Sequence, residues 1–70
     1  MDKDFWAAFL RFLDQATREE LNQKITATAA LLQNTRSVEV KSDAKVMIRL
    51  MEQELLVRLS EKIPKNFQLA

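Results

Sequence analysis

Ten carboxylates and eleven Lys or Arg side chains dominate the reactive inventory of this 70-residue chain, which contains no histidine, cysteine or glycine. Glu19, Glu20, Glu52, Glu54 and Glu61 are the groups from which an acid–base pair would have to be drawn. On the exposed faces of helices such carboxylates ordinarily serve as solvating charges. Without His or Cys the usual general base, thiol nucleophile and zinc ligands are missing. Without Gly there is no phosphate-cradling loop, no dinucleotide-binding turn and no sharp calcium-loop bend. The residues therefore predict a non-enzyme with no catalytic residues, no metal and no cofactor, and they direct attention to binding.

Two groups of residues carry binding chemistry. Arg36, Lys41, Lys45 and Arg49 form a basic series whose last three members follow i, i+4 helical spacing. The plain alternative is a solvated face, because the net charge is only +1 and no aromatic residue is interleaved for base stacking. As a binding feature the series suits an acidic protein surface, where it would orient the partner, better than a phosphate backbone. The second group is Phe5, Trp6, Phe9, Phe12 and Leu13. Trp and Phe are large anchors of low entropic cost, so these five residues read either as a partner-binding patch or as the core of a dimer, and the sequence leaves both open. A lipid-surface role fits less well, since the flanking charges Asp2, Lys3, Asp4, Arg11 and Asp14 are net acidic.

The elements that must present these residues are helices. Glycine, the usual hairpin-turn residue, is absent, and strand-like alternation is confined to Val38-Glu39-Val40-Lys41. A single domain over residues 1–70 is expected, built as an antiparallel helical hairpin. Its long helix runs from about residue 3 to 34, its shorter helix from about 43 to 62, and a C-terminal tail follows in which Phe67 and Leu69 are docking points. Asp2 suits the first N-cap, and Ser42 with Asp43 suits the second start. Pro64 ends the second helix by pushing Ile63 out of the α region. Two local signals compete with this segmentation. Thr17-Arg18-Glu19-Glu20 matches a capping box that would break the first helix, and Ser37 with Glu39 offers an earlier start for the second.

On a helical wheel Val40, Ala44, Met47, Ile48, Met51, Leu55 and Leu59 share one stripe, while Val46, Leu50 and Val57 lie on another flank. In the first helix Leu10, Leu21, Ile25, Thr28 and Leu32 share a face, with Phe9, Phe12, Leu13 and Ala16 to its side. Two rods cannot cover that much apolar surface. Helices of roughly 45 and 30 Å, joined near residues 35–42, would leave residues 4–14 overhanging with nearly all the aromatic residues. A second copy, the tail or a foreign protein would have to cover them. The energetics agree, since burial worth on the order of 110 kcal/mol nearly cancels ordering costs on the order of 105 kcal/mol. A homodimer is the expected remedy.

The acidic opening Met1-Asp2-Lys3-Asp4, with Arg11 interrupting the apolar stretch, is unlike a secretory signal, and a cytoplasmic protein is expected. The layout also resembles the quorum-sensing anti-activators of Pseudomonas phages. The features carrying that resemblance are the length, the opening Asp4-Phe5-Trp6-Ala7-Ala8-Phe9-Leu10, the segment Val46-Met47-Ile48-Arg49-Leu50-Met51, and the tail after Pro64. It implies a dimeric helical inhibitor, working in the host cytoplasm, that binds a LuxR-type transcriptional activator and prevents it from engaging DNA. It transfers no functional residue, because no motif aligns position by position. Read from the residues, the function is that of a regulator acting by occlusion. The alternatives are a small dimeric DNA-binding regulator that uses the basic series, and a co-chaperone for a secretion or assembly subunit.

Overall fold

The computed structural model describes residues 2–61, which form three α-helices: α1 (Lys3–Gln15), α2 (Arg18–Asn34) and α3 (Val38–Glu61). No strand occurs among the described residues, in line with the expected all-α class. The expected segmentation is corrected at two places, and Pro64, Phe67 and Leu69, with the roles expected of them, lie outside the described residues.

The long first helix is in fact two helices. Ala16 (φ −69°, ψ 146°) and Thr17 (φ −73°, ψ 167°) are both extended, which breaks the helical path without any residue of positive φ. The capping box that competed with continuity is fully formed. Glu20 N–H donates to Thr17 Oγ1 at 3.1 Å, and Thr17 N–H donates to Glu20 Oε1 at 2.8 Å. Two backbone donors at the start of α2 are thereby satisfied without a preceding turn of helix. The Thr17 backbone N–H, and after it the Thr17 hydroxyl, hold the Glu20 carboxyl below its usual pKa.

The last helix starts at Val38, five residues earlier than the Ser42–Asp43 reading. Ser37 Oγ accepts from Val40 N–H at 3.2 Å, and Ser37 C=O accepts from Lys41 N–H at 3.0 Å. The decisive feature is the end of α2, where Thr35 N–H closes on Leu31 C=O at 2.9 Å and Thr35 Oγ1 accepts from Ser37 N–H at 3.2 Å. With residues 35–37 completing the turn, helix can resume at once.

These corrections invert the length argument. α3 has 24 residues against 17 in α2, so it outruns its neighbour by about 10 Å at the end away from the connection. The aromatic segment does not overhang, because the break at Ala16–Thr17 folds α1 back onto the other two helices. Phe12 sits in a shallow depression with Glu20, Gln23, Lys24 and Ala27 of α2, and Lys24 Nζ lies 5.4 Å from its ring centroid. Phe9, Leu13 and Ala16 join Leu21 of α2 and Met47 and Met51 of α3 in one core, with Leu21 and Met51 wholly buried. Full burial of such a side chain contributes about 2–3 kcal/mol. Thr28 is also buried, its hydroxyl satisfied by donating to Lys24 C=O at 2.7 Å. No buried side-chain polar atom lacks a partner among the described residues.

Candidate protein-binding surface

The five residues of the N-terminal group lie on α1, and the four aromatic ones form a ladder of ring contacts. Phe5 and Phe9 stack at 6.3 Å, Trp6 meets both edge-on at 5.5 and 5.8 Å, and Phe9 stacks on Phe12 at 6.4 Å. Phe9 and Leu13 face the chain's own interior and are buried. Phe5, Trp6 and Phe12 are half-buried, each keeping part of its ring in solvent.

What holds α1 in place is a residue whose i, i+4 spacing from Glu54 would by itself suggest only an ordinary surface ion pair. Arg58, near the end of α3, donates from Nη1 to Ala16 C=O at 2.7 Å and from Nη2 to Leu13 C=O at 3.0 Å. Its Nε donates to Glu54 Oε2 at 2.9 Å, and that carboxylate fixes the guanidinium plane. The carbonyls at a helix C-terminus lack partners within the helix, and here a cation from another helix supplies them. Only the i, i+4 spacing of Glu54 and Arg58 was visible in advance. The partners of the other two bonds lie 42 and 45 residues away in sequence.

Beside Arg58, between the first turns of α2 and the last turns of α3, lies an apolar groove of about 610 Å³. Leu55, Leu56 and Leu59 form its floor, with Arg18, Asn22, Glu52 and Arg58 around it. Leu56 is 62% exposed, Leu59 59% and the adjacent Val57 52%. Leu59 was expected in the core stripe. It remains exposed in the groove beside Arg18, the first residue of α2.

The basic series runs toward the groove along the same helix. Lys41, Lys45 and Arg49 are all exposed on α3, and at 100° per residue they share a side of it with Glu52, Leu56 and Leu59. Arg36 is exposed in the connection and precedes the row. Among the described residues no cluster of three or more acidic, His or Cys side chains is arranged to hold a metal ion.

No protein-family model matches the chain, and no curated protein or solved structure matches it. The surface must therefore be read on its own terms. Among the described residues it offers an apolar trough about two helical turns long near the end of α3, on the same helix as a row of positive charges. No helix among the described residues is long and apolar enough to cross a membrane.

Proposed function

We propose that the chain is a non-catalytic, homodimeric helical-hairpin regulator that inhibits a cytoplasmic partner protein by occlusion. The observation that carries this reading is the trough of half-buried Leu55 and exposed Leu56 and Leu59 on the same helix as Lys41, Lys45 and Arg49. A partner element with an apolar ridge and acidic flanks would seat its ridge in the trough and be aligned by the basic row. A LuxR-type activator is the partner suggested by the resemblance to phage anti-activators, with loss of operator binding as the consequence.

The test uses a purified LuxR-type activator bound to operator DNA. Addition of the chain is expected to release the DNA. The double substitution Leu56→Glu/Leu59→Glu is expected to abolish release while changing folding stability by less than about 0.5 kcal/mol, since both side chains already face water. An activator that holds its DNA at saturating chain refutes the proposed target.

The exposed row of Lys41, Lys45 and Arg49 also supports the rival DNA-binding reading. That reading requires affinity for DNA alone that falls steeply with salt, with a log–log slope of about −3 for three phosphate contacts. Absence of such binding at low salt removes it.

A further inference from the structure

We infer that the chain forms its homodimer by exchanging α1 between two copies, with each Ala16–Thr17 break straightening so that α1 and α2 become one continuous helix. The inference rests on the homodimer proposed above and assigns its interface. The occupant of the exchanged site is a second copy, because the surface concerned is the one α1 already fills in its own chain: the Leu21, Met47 and Met51 side of the core.

Three observations on the break support the exchange. First, neither Ala16 nor Thr17 resists helix. Both have negative φ, neither is Gly or Pro, and the bend is maintained by bonds instead of by sterics. Second, those bonds can be traded. The bent form uses the two capping-box bonds and the two Arg58 bonds to Leu13 and Ala16 carbonyls. A continuous helix replaces them with four backbone bonds, from the N–H groups of residues 17–20 to the carbonyls of Leu13, Asp14, Gln15 and Ala16. Third, the apolar faces are out of phase. At 100° per residue Phe9, Leu13 and Ala16 centre about 120° away from Leu21, Ile25, Thr28 and Leu32. In a straight rod α1 therefore turns its aromatic face away from its own α3 and can bury it only on another copy. Intrachain packing requires the bend, and straightening requires a partner of identical chemistry.

The experiment uses the chain alone, so its failure is separate from failure of groove binding. Light scattering after size-exclusion chromatography, from low micromolar to millimolar concentration, follows the monomer–dimer equilibrium of three forms. Thr17→Ala/Glu20→Ala removes the capping box without removing any exchanged contact and is expected to tighten the dimer by about tenfold or more. Thr17→Pro gives up both capping-box bonds but keeps the bent backbone, because Thr17 already has a proline-like φ and Ala16 the extended conformation a pre-proline residue requires, whereas a continuous helix through residue 17 would place the ring against Leu13 C=O. It is expected to stay monomeric throughout. In a dimer of Thr17→Ala/Glu20→Ala mixed from isotope-labelled and unlabelled chains, filtered nuclear Overhauser contacts from Phe9 or Leu13 to the Met47 or Met51 methyls are expected between chains. A Thr17→Pro chain that dimerises as tightly as the parent overturns the inference. So does a capping-box variant that remains monomeric at millimolar concentration, or a dimer whose Phe9 and Leu13 contacts are all within one chain. Should Thr17→Pro fail to fold, the filtered contacts decide the matter.

Discussion

Replacing Arg58 by alanine tests whether one guanidinium fastens α1 to the rest of the fold. Two charge-assisted bonds end on the carbonyls of Leu13 and Ala16, at 3.0 and 2.7 Å, and both acceptor residues are buried. A hydrogen bond to a charged group contributes about 1.5–3 kcal/mol net. The Arg58 side chain is 27% exposed, so water can reach part of the vacated site and the low end of that range applies to each bond. The expected loss for Arg58→Ala is therefore about 3 kcal/mol, or about 15 °C in Tm for a domain of this size. Arg58→Met keeps much of the apolar stem and should lose nearly as much, which assigns the effect to the bonds and not to packing. Arg58→Lys should lose about half, because a single ammonium cannot reach both carbonyls with the fixed fork of an arginine. Glu54→Gln should lose less than about 1 kcal/mol, since it removes only the charge of a partly exposed pair and leaves an amide oxygen that can still accept from Arg58 Nε. The assay is urea unfolding followed by far-ultraviolet circular dichroism and by Trp6 emission, at concentrations low enough to keep the chain monomeric. Trp6 stands on α1, so its emission should shift to the red before helix content is lost in the Arg58 variants. An Arg58→Ala chain within about 0.5 kcal/mol of the parent refutes the reasoning.

Other expectations follow from the caps and the core. Thr17→Ala removes one side of the capping box at the start of α2 and should cost about 1 kcal/mol in the monomer, measured by chemical unfolding. Because the folded Glu20 carboxyl titrates below its unfolded value, its contribution is present above the ordinary carboxylate range and is lost as pH falls through the depressed folded value. Glu20→Gln should flatten that acid-side decline in an unfolding series across pH. Ser37→Ala deletes the hydroxyl that starts α3 and should cost about 1 kcal/mol, with amide exchange accelerated at Val40. Met51→Ala opens a cavity at a wholly buried position and should cost about 2–5 kcal/mol, enough to unfold a domain of marginal stability at 37 °C.

How far the sequence reaches is clearest where two local signals competed. Absence of glycine and a 3.6-residue apolar period were sufficient for the all-α class that the described residues adopt. The methionine pair at positions 47 and 51 followed from the same period and lies in the core. The residues also contained the signal for each boundary the structure adopts, Thr17 with Glu20 and Ser37 with Glu39. What they could not do was rank each signal against its rival, because a cap and a continued helix satisfy nearly the same number of backbone groups. Tertiary contact decides such a near tie. The bend at Ala16–Thr17 is retained because it lets Phe9 and Leu13 reach Met47 and Met51 and lets Arg58 complete the open end of α1. From that one bend the rest follows: the aromatic segment turns inward, α3 becomes the longer member of its pair, and the uncovered leucines fall at residues 56 and 59. Helical period is a property of neighbours in sequence and was legible. Which faces meet depends on partners more than forty residues apart, and only the assembled fold could say.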